Sequence, residues 1–226
     1  SFIVFENEMN GEAESKVHQI RRDALHTFEN LGFPTKRHEE WKYTNLKPIL
    51  KHDYKVFTKT EKAIEFKDVK QFFLNDVDTY KVVFINGIYS SLLSDPTHNS
   101  YDICTFGSAL NRFEDSIDKY FSQVAPKDES MVALNTAFAK EGVFIKIPKN
   151  TKVSKPIQLM FLTTDELSET MTQPRNLVIL EEGSHAIIVE RHQSLSKKPV
   201  FTNSVTEIFA EKNARLSYYK VQNDSK

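Results

Sequence analysis

The sequence predicts a mainly β protein with an α-rich N-terminal part, its back half a pile of short β coils. Three observations carry this. Near the start, Val17, Ile20, Ala24, Leu25, Phe28 and Leu31 recur at helical spacing. From Val143 onward the helical period vanishes, and short β-prone runs alternate with polar turns. Those turns repeat. Ile145 to Asn150, Val178 to Gly183 and Ile208 to Asn213 each read as a strand, a polar pair, and then Asn or Gly, the residues that tolerate positive φ. The copies lie about 30 residues apart, a spacing compatible with a solenoid. One strand-turn-strand unit of that size cannot bury its own apolar face, whereas stacked copies can. An ordinary β-sandwich also alternates strands and turns, and the pattern alone leaves both open.

The elements follow in order. Glu12 to Leu31 reads as the first helix, with Lys16, Arg21, Arg22 and Glu29 largely outside its apolar stripe. Gly32 suits a helix end and Pro34 cannot continue one. Trp41 to Leu50 suggests a short helix or turn. Phe66 to Leu74 is a further helix, since Phe66, Val69, Phe72 and Phe73 share a face. Lys81 to Ile85 is a strand, Asn86-Gly87 a type I′ turn, and Ile88 to Leu93 the returning hairpin partner. Tyr101 to Phe106 is another strand. Helices follow over Ala109 to Phe121 and Met131 to Lys140, closed by Glu141-Gly142. In the repeats, Val153 to Leu162, Ala186 to Glu190 and Leu216 to Val221 continue as β runs.

Composition narrows the function. The 226 residues carry 30 Lys and Arg against 31 Asp and Glu, so no basic excess points to nucleic acid or to an anionic membrane. The single Cys, Cys104, rules out an intrachain disulfide and fits a reducing cytosol. No signal peptide is visible at Ser1 to Glu6, and the densest apolar runs are far too short to span a bilayer. A cytoplasmic protein is expected. No Walker motif is present, so nucleotide hydrolysis is not expected.

Candidate site residues are few. Cys104 lacks Cys or His neighbours at ligand spacing and reads as a small packed residue. His18 and His26 are two helical turns apart, too far to share a metal. His185 and His192 differ by an odd number, which places them on opposite faces of an unbroken strand. Glu181-Glu182, Glu190 and Glu211 raise the alternative of a carbohydrate-active β-helix enzyme, because Glu181 and Glu211 fall at matching repeat positions. Acidic turn positions are the simpler reading. Glu40, Trp41 and Tyr43 pack aromatic anchors beside charge and suit a recognition surface. The competing reading has Trp41 and Tyr43 pin the first helix to the hairpin.

The segment Gly32-Phe33-Pro34 followed by Glu40-Trp41-Lys42-Tyr43-Thr44 closely resembles the opening signature of the SufD branch of the SufB/SufD family, scaffold subunits of the Suf iron–sulfur cluster assembly machinery. Val83 to Ser94 resembles that family's Phe-Val-Asn-Gly hairpin, Ala133 to Ala139 its Leu-Asn-x-Ala-Phe helix, and Pro156-Ile157, Pro174-Arg175-Asn176 and Ala214 to Gln222 its core. The likeness runs through most of the chain in order.

The resemblance implies a right-handed parallel β-helix after a helical N-terminal domain. This divides the chain into an N-terminal helical/α+β domain over 1–140 and the first coils of a β-helix core over 141–226. It implies a non-enzymatic scaffold acting with SufB and SufC homologues, SufC being the ATPase. No cofactor is expected in this chain, with iron or an iron–sulfur cluster left to the full complex. Family members continue past Lys226 into further coils and a C-terminal helical segment. The sequence is therefore expected to be a fragment or short form, with self-association through the open solenoid end or fraying of Leu216 to Lys226. A plain protein-interaction module is the remaining alternative.

Overall fold

The computed structural model describes residues 3, 6, 15–56, 64–96, 100–164, 169–195 and 197–223. Helix α1 (Lys16–Leu31) is capped by the Ser15 side chain, which accepts from the His18 N–H at 3.1 Å. It closes at Gly32 (φ 65°), whose N–H donates to Phe28 O. The predicted start at Glu12 lies outside the described residues. Arg21, expected outside the apolar stripe, is instead 1% exposed, and its Nε donates to Ala139 O at 2.9 Å. A carbonyl left free near a helix end is a strong enough acceptor to hold a buried guanidinium.

Two 3₁₀ turns, Glu39–Trp41 and Ile49–Lys51, stand at the two ends of the stretch read as a short helix or turn, with turns and irregular backbone between them. Strand β1 (Lys55–Val56) follows. Helix α2 (Phe66–Val69) has a Glu65/Asp68 capping box and tightens into a 3₁₀ turn, Lys70–Phe72. Strand β2 (Tyr80–Ile85) turns through Asn86 (φ 51°) and Gly87 (φ 85°), both left-handed as a type I′ hairpin requires. The return strand β3 is only Ile88–Tyr89, shorter than predicted. Side chains take over beyond it. Ser94 Oγ accepts from Val83 N at 2.9 Å and Asp95 Oδ2 from Lys81 N at 2.7 Å, so the β2 edge is satisfied without a strand.

Strand β4 (Asp102–Thr105) leads into α3 (Phe106–Arg112) and α4 (Glu114–Tyr120). The predicted single helix is broken at Phe113, where the backbone leaves helical angles and the ring stacks on Phe144 at 4.9 Å. Helix α5 (Ser130–Ala137) is capped by Glu129, which accepts from Val132 N at 2.7 Å.

The remaining strands are β5 (Val143–Ile147), β6 (Ile157–Thr163), β7 (Thr170–Thr172), β8 (Arg175–Leu180), β9 (His185–Ser194), β10 (Val200–Thr202), β11 (Val205–Ala210) and β12 (Arg215–Asn223). They form three sheets, ordered β1-β7-β10, β11-β8-β5-β4 and β12-β9-β6-β2-β3. Every pairing between the repeats is parallel, which does not fit an antiparallel sandwich. Val200 pairs with Thr170, Val205 with Arg175 and Arg215 with His185, a step of 30 residues in every sheet; between the preceding strands the step is 33, Phe144 to Leu177, and 31, Ile157 to Ile188. Each sheet also includes a strand from the first part of the chain, β1, β2 or β4.

The turns stack as the repeat requires. Asn150 (φ 58°), Gly183 (φ 69°) and Asn213 (φ 59°) are all left-handed; Asn150 N donates to Glu182 O and Gly183 N to Lys212 O. Inside, Val82, Ile145, Ile147, Leu159, Val178, Leu180 and Ile188 form a core enclosed by strands. An aromatic column runs through it. Phe84 stacks on Phe161 at 5.1 Å, and Phe161 on His192 at 4.9 Å, close to the natural strand spacing. Outside, α3 and α4 cover Phe144, Leu177 and Ile179, while α1 and α5 enclose Leu134, Phe138 and Phe201.

Candidate functional site

Three groups of polar side chains are candidates for function. The first lies in the strand-enclosed core. Alternation along β9 puts Glu190 and His192 on the same side as Ala186 and Ile188. Glu190 is fully buried and His192 is 2% exposed. The ladder to β12 sets Lys220 beside Glu190 and Tyr218 beside Ile188. Glu190 Oε1 lies 2.5 Å from His192 Nε2 and 2.9 Å from Lys220 Nζ, and the Tyr218 hydroxyl donates to Oε2. Burial works to raise the Glu190 carboxyl, but the His192 hydrogen bond, the Lys220 charge and the Tyr218 hydroxyl hold it down at about 2. Burial and the neighbouring carboxylate push the Tyr218 phenol far up. The arrangement stabilises one negative charge inside an otherwise apolar core.

The second group joins the outer face of the sheet to the helices. Arg175 on β8 and Glu207 on β11 are 0% and 1% exposed and lie 2.6 Å apart. Arg175 Nη1 also donates to Thr136 Oγ1 at 3.0 Å and Asn135 Oδ1 at 3.3 Å on α5, and its guanidinium lies over the Phe121 ring. Glu207 accepts from the backbone N–H groups of Ser122, Val124 and Ala125 at 2.8, 3.0 and 3.1 Å. Burial opposes its ionisation, yet Arg175 and these three amides hold its carboxyl below the usual range.

The third is a cleft of about 500 Å³ between the end of α1 and the start of α5, lined by Leu31, Gly32, Pro34, His38, Glu39, Glu40, Trp41, Pro126, Asp128, Glu129 and Ser130. Two of the residues singled out in the sequence, Glu40 and Trp41, line it. Trp41 is half-buried, packed against the core of Leu46, Met131, Leu134 and Phe138. It therefore ties α1 to α5 rather than to the hairpin. Tyr43 is 90% exposed, with Lys42 over its ring, and pins nothing.

The other candidates disperse. Cys104 is half-buried in β4, and burial pushes its thiol up to about 11. Glu181 accepts from Lys149 N and pairs with Lys146, while Glu211 accepts from Glu182 N and Tyr120 OH. Both serve the turns. Among the described residues no group of three or more His, Cys, Asp and Glu side chains is placed to hold a metal, and no helix is long and apolar enough to cross a membrane.

Two family models match the chain in succession: the SufBD protein N-terminal region over residues 2–159, and the SUF system FeS cluster assembly, SufBD core domain, over 161–226. The chain belongs to the SufBD family. An iron–sulfur cluster assembly SufBD family protein of Synechocystis sp. (strain ATCC 27184 / PCC 6803 / Kazusa) is 29% identical, over 96% of this chain and 50% of its own length. The chloroplastic SufBD family protein ABCI8 of Arabidopsis thaliana is 34% identical, over 53% of this chain and 22% of its own. A SufBD family protein of Staphylococcus aureus (strain USA300) is 38% identical, over 51% and 25%. The chain thus spans about half, or less, of the length of these relatives. The two SufBD models meet within β6. The Trp41 cleft falls in the N-terminal region, and Arg175, Glu190, His192, Glu207, Tyr218 and Lys220 fall in the SufBD core.

Sequence reasoning missed most of these residues. In the sequence Glu190 groups with the turn carboxylates, His192 is placed only on the strand face opposite His185, and Arg175 and Glu207 carry no assigned role. The usable signal was the repeat itself: Lys220 lies one 30-residue step after Glu190.

Proposed function

We propose that the protein is a non-enzymatic scaffold in iron–sulfur cluster assembly, on the SufD side of its family, working in the cytoplasm with SufB and SufC homologues. The observation that carries this is the succession of two SufBD family models over nearly the whole chain. The relatives named above are iron–sulfur cluster assembly SufBD family proteins. The opening motif through Trp41 favours the SufD branch. Iron or a cluster is cargo here, carried by the assembled complex.

We also infer that the three sheets are the faces of a right-handed parallel β-helix, each coil contributing one strand to each face. Support comes from the shared 30-residue step and from the column of left-handed turns at Asn150, Gly183 and Asn213.

The test is co-purification of the tagged full-length gene product with the SufB and SufC homologues of its own organism, alongside iron–sulfur enzyme activities in a deletion strain. Stable co-purification with loss of those activities is expected. Neither effect, or ATP turnover by the pure chain, overturns the reading.

A further inference from the structure

The cleft beside Trp41 combines an apolar floor with a rim of one charge sign. Leu31, Pro34, Trp41 and Pro126 supply the apolar surface, and Glu39, Glu40, Asp128 and Glu129 the carboxylates; no Lys or Arg lines it. Its two sides are fixed to each other, because the Ser130 hydroxyl donates to Gly32 O across the α1–α5 junction. Glu129 is engaged in capping α5, and Glu39 pairs with Lys42. Glu40 and Asp128 are exposed and make no ion pair among the described residues. Beyond Pro34 the sign reverses: an adjoining groove is lined by Lys36, Arg37 and Lys47.

We propose that this cleft docks an extended segment of a partner protein carrying a short basic stretch, an Arg or Lys beside an aliphatic residue. A guanidinium there meets Glu40 and Asp128 as charge-assisted acceptors and Trp41 as a cation–π face. The aliphatic neighbour covers Leu31 and Pro126. A purely apolar occupant would strip water from the carboxylates without replacing it, and an acidic one would be repelled. The basic groove past Pro34 limits the matching stretch to a few residues, since a longer basic run would meet like charge. The inference names the chemistry of one partner and stands apart from the assembly role.

Trp41 is the only Trp, so all indole emission comes from this ring, which lines the cleft and also a neighbouring pocket beside Met131 and Phe201; the charge-reversal variants tell the two apart. The probe is a synthetic Trp-free peptide, acetyl-Gly-Leu-Arg-Leu-Arg-Gly-amide, with a control in which both Arg are Glu. The Arg peptide is expected to shift Trp41 emission saturably, and the Glu peptide not to. Glu40→Lys and Asp128→Lys, each at an exposed position, are expected to weaken binding about tenfold or more with unchanged melting. Tyr43→Ala, outside the cleft, is expected to leave it unchanged. No saturable shift, equal response to the Glu peptide, or indifference to both charge reversals overturns the proposal. Failure here leaves co-purification with SufB and SufC homologues untouched, and failure there leaves this binding untouched.

Discussion

Glu207→Gln is the sharpest probe of how the two parts of this chain are joined. The change keeps the shape of the side chain and removes its charge. The Arg175 guanidinium, buried 2.6 Å away, is then left uncompensated. Three backbone amides, at Ser122, Val124 and Ala125, compete for one remaining carbonyl oxygen. Removing one partner of a buried ion pair costs about 3–5 kcal/mol. Losing charged acceptors adds to that less than additively, so the expected loss is about 4 kcal/mol. At roughly 2–4 °C per kcal/mol for a domain of this size, the melting midpoint should fall by about 8–16 °C.

Urea denaturation followed by circular dichroism measures the total, and native-state hydrogen exchange locates it. Exchange at Ser122, Val124 and Ala125 should accelerate before that of the β8 amides. Pairing the change with Arg175→Met removes both charges. The double variant should then cost clearly less than the two single losses combined, because no buried charge is left without a partner. A single-variant loss under about 1 kcal/mol, or full additivity, would refute the clasp.

Glu190 predicts an acid transition. Its folded carboxyl sits near 2 against an ordinary 4.5, so the stabilisation is present above 4.5 and is lost as pH falls through about 2. That difference corresponds to roughly 3 kcal/mol, and Glu190→Gln should flatten stability between pH 4.5 and 2 in denaturant titrations. Glu141 has the opposite sign: burial raises its half-buried carboxyl to about 7, so the unfolded chain releases that proton first and stability declines from about 4.5 to 7. Glu141→Gln should therefore raise the melting point at pH 8 and leave it nearly unchanged at pH 4; a shift of equal size at both would rule this out. Gly142→Ala should destabilise by about 2 kcal/mol or more, since a Cβ would fall 2.2 Å from Arg175 O at a φ of 130°. Gly32→Ala meets nothing within 4 Å, but φ 65° with ψ −170° is a region open almost only to glycine, so it should cost about 1–3 kcal/mol from backbone strain alone; a larger thermal shift than for Gly142→Ala, where a clash is added to the strain, would contradict the contact geometry.

Much of the architecture was legible because it is periodic. The three aligned turns ending in Asn150, Gly183 and Asn213 gave the step of the stack, and the Asn86-Gly87 pair gave the hairpin. Strands β7 and β10 were missed because each has three residues and no long apolar run; the ladder holds them, not their propensity. The break at Phe113 was missed because a helical period is a local property, while the stacking on Phe144 is not.

The site was less legible for a related reason. The outward face of β9 also carries apolar residues: Ile187, 44% exposed, and Val189 alternate with the buried Ala186 and Ile188, so no polarity contrast marks the enclosed side. Glu190 and His192 look like surface residues until the strand direction is known. The Trp41 motif was conspicuous in sequence, yet its composition said nothing of which ring is inserted. Trp41 is wedged against α5, and Tyr43, two residues on, is almost bare.

The common advance of the ladders restricts where the chain can change length. From Phe144 to Ile157 there are 13 positions, but from their ladder partners Leu177 to Ile188 there are 11, and from Glu207 to Tyr218 again 11. The β5–β6 connection absorbs two additional residues at its corner, while the β8–β9 and β11–β12 connections stay in step. Insertions and deletions in evolutionary cousins should therefore gather at such corners, where a loop can swell outward. One residue gained within a strand would reverse every inward and outward side chain downstream.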